Sequence, residues 1–422
     1  MGAPPFTATA SAAPGGPDFL TGAQRHRKAG ELDAAAHSRL CEELRRQGQL
    51  DRALHHGRLS LALLPDAAET LYNLGILHYD RQDVDHAIRC ERRAIRLDPD
   101  SPGPHFELAE GLLLSGQLEE GWAEYEWRFR LPGAPPPIPP SLLAAGRPAP
   151  RPQWDGHPFP GRLLLVADQG FGDVIQFARY IPMVKRRCPD LVIAASPEML
   201  PLLAQVSDKD RLHQKWESLP DFDCWCPLSG LPRLFGTTLA TIPADGPYLL
   251  ADPKLAARWR ERLDGLLPKT WRRIGLVWTG RSTHGNDHNR SLPLRSLAPL
   301  LDLDGIAFVS LQVGGSQSQV GRYFGKAPLV NLGAEIEGFA DSMAILQGLD
   351  RLVCVDTAIA HLAGAMGLPA SVLLPFASDW RWLTNRSDSP WYPSVRLHRQ
   401  SVPGCWDALI EEVAALLRAS AR

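Results

Sequence analysis

A stretch of this sequence repeats every 34 residues, and that period constrains the first third of the chain more than any other feature. Gly48-Gln49-Leu50-Asp51-Arg52-Ala53-Leu54 returns as Gln82-Asp83-Val84-Asp85-His86-Ala87-Ile88. It returns again as Gly116-Gln117-Leu118-Glu119-Glu120-Gly121-Trp122. Leu40, Leu74 and Leu108 keep the register, and Pro65 matches Pro99. Three copies without a gap mean one supersecondary unit used three times. Each unit is too small to bury its apolar face alone, so neighbours must stack.

The period, the small residue in the turn, the Ala or Gly that follows and the closing proline resemble the tetratricopeptide repeat. The resemblance implies a helical array over residues 21–130, about three helix pairs. Gly30-Glu31-Leu32-Asp33 reads as a degenerate extra turn, which makes the segment from about residue 21 a capping helix. Such arrays present a concave groove, which serves to bind a protein partner or is simply part of a spacer. Residues 1–20 are rich in Ala, Pro, Gly and Thr, lack periodicity and are expected to be disordered.

The whole chain has 422 residues, enough for two or three domains. Its net charge is −2 with no basic run, which argues against nucleic acid as a main partner. Of its seven cysteines only Cys224 and Cys226 are close together, and no second pair follows at zinc spacing. Reduced thiols are expected. Met1-Gly2 begins like an acylation site, but Phe6 stands where Ser or Thr is needed. With no signal pattern and no long apolar run, the expected location is cytoplasmic.

Residues 131–153 are rich in proline and read as a semi-rigid, extended linker. Beyond it the pattern changes to strands alternating with helices. Apolar runs at 162–167 and 191–195 predict buried parallel strands, joined by a helix over about 173–187 that Pro182 bends or interrupts. Residues 252–270 predict a helix that closes this half. A second series of strands is expected at 273–278, 307–311, 351–355 and 370–374. The fold class is α plus α/β, with two Rossmann-like halves over 154–270 and 271–400. Residues 401–422 read as a C-terminal helix packing back on the N-terminal half.

Ligands of such folds sit at the carboxyl ends of strands, and four segments there stand out. Asp168-Gln169-Gly170-Phe171-Gly172-Asp173 follows the first strand. Its glycines allow close backbone approach, but it lacks the third glycine of a dinucleotide fingerprint and the Lys of a P-loop. As a bare pattern, Asp173 is a helix cap before it is a catalyst. Asp356, Thr357, Ala358 and His361 open a helix after the strand at 351–355. Its exposed amides suit a phosphate oxygen, and His361 lies one turn from Thr357. A structural histidine is the other reading.

The third segment runs from Trp278 through Arg281 and Arg290 to Ser291, a dense polar loop that is either solvated or able to neutralise a diphosphate. Gln312 follows the strand at 307–311. The fourth begins at Pro375 and continues through Asp379 and Trp380 to Trp391 and Tyr392. Its aromatics suit a sugar or base platform and equally a domain interface.

These segments together resemble glycosyltransferase family 9, the heptosyltransferase-like group, over about residues 154–418. The match rests on Gly172-Asp173 and Asp356-Thr357…His361. The resemblance implies the two-domain GT-B fold and inverting, metal-independent transfer from a nucleotide-sugar, with no cofactor. It places the catalytic base on Asp173 and the donor-phosphate residues on Asp356, Thr357, Ala358 and His361. Arg281 and Trp278 are further donor-side candidates. Gln169, Gly170, Gly172, Gln312, Pro375, Asp379 and Trp380 are candidate sugar or base contacts. The repeat-plus-transferase layout is similar to that of enzymes which modify proteins, so the expected acceptor is a protein recruited by the array. The alternatives are glycan or lipopolysaccharide assembly with the array as a docking module, and a non-catalytic scaffold.

Overall fold

A computed structural model describes residues 22–144 and 150–419. The expectation of disorder for residues 1–20 falls outside them. The chain divides into two compact units. One comprises residues up to 135 together with Asp379–Thr384; the other comprises Pro136–Ser378 and Asn385 onward.

The first unit is helical: α1 (Gly22–Arg46), α2 (Leu50–Leu63), α3 (Ala68–Asp80), α4 (Val84–Leu97), α5 (Pro102–Leu114) and α6 (Leu118–Tyr125). The starts of α2, α4 and α6 share the 34-residue spacing of the sequence, and so do those of α3 and α5. Each pair turns through a residue with positive φ: Gly48 at 73°, Gln82 at 59° and Gly116 at 85°. Glycine takes this conformation without cost, and a side chain does not. The small residues Ala53, Ala87 and Gly121 are buried where helices cross. A Cβ on Gly121 would meet Leu113 Cδ2 at 2.8 Å. Gly30-Glu31-Leu32-Asp33 is not a turn, because α1 runs unbroken through it.

The segment Asp379–Thr384 completes this unit. The Trp380 indole is buried edge-on against Trp122, with ring centroids 5.3 Å apart, and lies 6.0 Å from the Tyr125 ring. Thr384 N–H donates to Leu114 O at 3.2 Å, the end of α5.

The second unit holds two parallel sheets. The first has the order β3-β2-β1-β4, from β1 (Leu163–Val166), β2 (Leu191–Ala195), β3 (Leu212–Gln214) and β4 (Cys224–Pro227). The second has the order β10-β9-β8-β5-β6-β7. Its strands are β5 (Arg272–Val277), β6 (Ile306–Ser310), β7 (Leu329–Asn331), β8 (Arg351–Val355), β9 (Ala370–Leu374) and β10 (Val395–Arg399). β1, β2, β6 and β9 are buried at every position, which is why they read as continuous apolar runs.

Between β1 and β2 the chain forms helix Phe171–Phe177, a single 3₁₀ turn and helix Ile181–Arg187. Pro182 opens the second helix, where its missing N–H costs nothing. Asp252 caps helix Pro253–Leu266 by accepting from Leu255 N–H at 2.8 Å.

Two further expectations differ from the structure. The proline-rich stretch is anchored at two described points: Ile138 is buried with Leu164, Val166 and Val192, and Arg151 Nε donates to Phe222 O at 2.7 Å. Its prolines prevent neither burial nor a short helix, Pro140–Ala144, which opens on a proline whose missing N–H is not needed there. The C-terminal helix, Asp407–Ala419, does not return to the N-terminal half. Leu409, Ile410, Val413 and Leu417 form one apolar face in the core of the second sheet, beside Ile274 and Leu300. Among the described residues, no helix is long and apolar enough to cross a membrane.

Candidate functional site

β1 and β8 lie inside their respective sheets, and each delivers the chain into a helix start. The first is helix Phe171–Phe177, with Gly170 at its N-cap and Asp173 in its first turn. The second is helix Ala358–Ala365, with Thr357 at its N-cap. Neither has a side-chain cap hydrogen bond, although a helix start leaves several amide donors without intrahelical partners.

These two starts meet. A Cβ placed on Gly172 would lie 2.9 Å from Cδ2 and 3.4 Å from Nε2 of His361. Only a residue without a side chain lets the imidazole come so close. Phe171 reaches across as well, its ring edge-on to Phe339 with centroids 5.3 Å apart. Gly172-Asp173 and Thr357…His361, far apart in sequence, therefore border one another.

His361 is buried, and its Nδ1 is 3.0 Å from the Tyr392 hydroxyl. That contact fixes the ring and turns its Cδ2–Nε2 edge toward Gly172. Tyr392 packs directly on the same helix: a Cβ on Gly364 would meet its ring at 2.4 Å. Burial, the largest influence, pushes the Tyr392 phenol well above its usual range, so it stays a neutral donor.

Behind Tyr392 lies Arg179, a buried cation. Its Nε donates to Gln176 O at 2.8 Å, and its guanidinium donates to Trp391 O at 2.7 Å and to the Tyr248 hydroxyl at 3.3 Å. It also lies 4.8 Å from the Tyr392 ring centroid. A buried cation survives only with such partners. Arg179, Tyr248 and Tyr392 thus tie the first half to the helix that carries His361.

Two polar side chains at this junction have buried atoms without hydrogen-bond partners. One is the Thr357 hydroxyl; the other is the Gln176 amide, both N and O. Such atoms are rare in folded proteins because each forfeits its hydration without recompense. Thr357 stands at the helix start, so its hydroxyl and the first-turn amides form a donor set suited to an anion.

The remaining candidates are placed differently. Gln169 is half-buried and Gly170 exposed, on the loop leading to Asp173. Asp168 accepts from Ser229 N–H at 3.0 Å, which pins that loop to β4's end. Trp278 is fully buried in the core of the second sheet, not in a cleft. Gln312 spends its amide on the backbone: Oε1 accepts from Trp278 N–H and Thr279 N–H at 3.1 and 3.0 Å, and Nε2 donates to Thr279 O and Val313 O. It braces the loop after β5. Arg281 is exposed on that loop, while Arg290 folds over Gly280 and pairs with Asp287 at 3.4 Å. Pro375 is buried after β9. Asp379 and Trp380 belong to the helical unit, where Trp380 fills an aromatic cluster.

Sequence reasoning passed over Arg179 and Gln176. The available signal was a charge within the otherwise apolar run Phe177-Ala178-Arg179-Tyr180-Ile181, since Arg in such a place is seldom buried unless paired.

Two parallel-sheet halves with helix starts facing one another define a two-domain α/β protein with its candidate site at the junction. No family model matches the chain. Over 392 residues it is 28% identical to the protein FlbA of Caulobacter vibrioides, covering 85% of this chain and 63% of that protein. The chain therefore spans less than two thirds of that curated relative. Among solved structures it is similar to the E. coli ADP-heptose lps heptosyltransferase II, at TM-score 0.44 and 14% identity over 62% of this chain and 98% of that one. It is also similar to a family 9 glycosyl transferase from Veillonella parvula, at TM-score 0.37 and 13% identity over 63% and 91%. A mutant O-GlcNAc transferase from Thermobaculum terrenum aligns over 96% of this chain and 94% of its own, at TM-score 0.27 and 16% identity.

Proposed function

We propose that this chain is an inverting, metal-independent glycosyltransferase of the GT-B type, moving a sugar from a nucleotide-sugar to a protein held by a tetratricopeptide-like array. The observation that carries the reading is the apposition of Gly172-Asp173 and Thr357…His361. It brings a carboxylate-bearing helix start beside an anion-suited one, the pairing that glycosyl transfer from a diphosphate requires.

In this reading the donor diphosphate lies on the start of helix Ala358–Ala365. The amides of Ala358 and Ile359, the Thr357 hydroxyl and the positive end of the helix dipole face its oxygens. Asp356 orders the turn, and His361, held by Tyr392, supplies a donor through Nε2. Asp173 accepts the proton of the acceptor hydroxyl. That oxygen bonds to the anomeric carbon on the face opposite the diphosphate, the carbon–oxygen bond to phosphate breaks, and the configuration inverts. The negative charge lands on the nucleoside diphosphate, where helix-end donors stabilise it most. Arg281, exposed on its loop, is the candidate second-domain cation.

The test has two arms. A panel of nucleoside diphosphates and nucleotide-sugars is titrated while thermal stability is followed. One base class should raise the unfolding temperature, and the shift should vanish in His361→Ala. With that donor, Asp173→Ala should lower transfer by about 10²-fold or more while nucleotide binding stays within a few-fold. Full transfer by Asp173→Ala removes Asp173 as the base; no shift with any nucleotide removes the donor assignment.

A further inference from the structure

Away from the junction, the turn between α3 and α4 carries three side chains that the repeat does not call for. His78 Nδ1 lies 3.1 Å from Asp83 Oδ2, and His86 Nδ1 lies 2.8 Å from Asp83 Oδ1. The two imidazoles stack with centroids 5.0 Å apart and an interplanar angle of 20°. One ligand atom from each of the three residues falls within 4.8 Å of the other two.

The repeat supplies its own comparison. One period earlier the same positions hold Leu44, Gln49 and Arg52; one period later they hold Leu112, Gln117 and Glu120. Leu44 and Leu112 are buried core residues. The fold thus asks for an aliphatic side chain where His78 stands and for a glutamine where Asp83 stands, and neither flanking repeat has an imidazole at any of the three positions. Replacing a buried leucine by histidine forfeits apolar burial, and the other two repeats form the same helix pairs without the trio. A pair of ordinary hydrogen bonds to Asp83 explains the distances but not why all three substitutions occur in one repeat.

We propose that His78, Asp83 and His86 form a binding site for an imidazole-favouring divalent metal ion of the zinc or nickel class. Two imidazole nitrogens and a carboxylate oxygen are ligands such ions take at roughly 2.0–2.2 Å, and atoms this close together can converge on one ion through small side-chain rotations. The ligands come from the end of α3, the start of α4 and the turn residue Asp83, so the ion staples the turn. Three ligands leave a further coordination position open to solvent, on the side of the exposed His86.

The test uses the full chain, stripped with chelator, titrated calorimetrically with zinc and separately with nickel at neutral pH. One saturable site of micromolar or tighter affinity is expected. His78→Leu restores the residue of the flanking repeats and should keep the fold, while His86→Ala alters an exposed side chain. Each should weaken binding by about tenfold or more. Absence of saturable uptake overturns the proposal. So does uptake unchanged in both variants, or uptake lost instead in His37→Ala, which would assign the ion to His37 and His56, whose Nδ1 atoms lie 2.9 Å apart.

Discussion

The backbone of Gly172 is packed so tightly on His361 that a single methyl group at residue 172 would sit 2.9 Å from the imidazole. The ring cannot swing away cheaply, because it is buried and bound to Tyr392. Gly172→Ala should therefore cost about 1–3 kcal/mol, the usual penalty for overpacking. It should also displace His361 and weaken nucleotide binding. Thermal unfolding with and without ligand measures both; an unchanged ligand-induced shift would show that the close packing has no bearing on the site.

Thr357→Val should produce effects of opposite sign in the free and liganded protein. The hydroxyl is buried without a partner, so an isosteric methyl relieves an unmet hydrogen-bonding demand. The free protein should be as stable as the parent or more stable by up to about 1 kcal/mol. Nucleotide affinity should fall by about five- to fifty-fold, as expected for one lost hydrogen bond to a charged group. Denaturant titration and calorimetry separate the two quantities.

Gln82 is the only one of the three equivalent turn residues that is not glycine, yet it has the same left-handed backbone, with φ 59°. Gln82→Gly should stabilise the helical unit by about 0.5–1 kcal/mol, because relief of the left-handed penalty exceeds the added freedom of the unfolded chain. The check is hydrogen exchange of α3 and α4 amides, which should slow. Faster exchange would mean that the Gln82 side chain contributes more than its backbone costs.

Trp380→Ala should destabilise the helical unit by about 3–5 kcal/mol, as for large buried aromatics generally. The loss should be local to its partners. Exchange should accelerate in α5 and α6, around Trp122 and Tyr125, and much less in the two sheets. Uniform acceleration throughout the chain would contradict the placement of this residue.

Much of this organisation is legible in the sequence where a physical signal is strong and local. The helix starts at residues 50, 84 and 118 follow from the repeat. β1, β2, β5, β6, β8 and β9 follow from apolar runs that only a covered parallel sheet can accommodate. β3 and β7 are three residues long, β4 ends in Pro227, and β10 holds only two apolar residues, Val395 and Leu397, among Arg396, His398 and Arg399; such edges carry little pattern. Asp173 and His361 could each be singled out by position after a strand, but the close approach of Gly172 to His361 could not, because it depends on how two halves pack. For the same reason the role of Arg179 was not legible, although its charge stands out in an apolar run: its partners Tyr248 and Trp391 lie far along the chain. Trp278 and Gln312 mislead in the reverse direction. Both are residue types that ligands favour, and both are consumed by the core and loop of the second sheet.

The six residues Asp379–Thr384 have a consequence for how the chain is assembled. The helices of the first unit have mostly local contacts and can form as soon as they emerge during synthesis. The aromatic face of Trp122 and Tyr125 and the end of α5 must wait for a segment made about 250 residues later. The helical unit is thus discontinuous in the gene although compact in space, and a cut at residue 130 or 135 does not release a module. It leaves one fragment with an uncovered aromatic face and another with Trp380 and Trp382 stranded, so activity lost on such truncation would report broken packing before it reported a missing partner-binding groove.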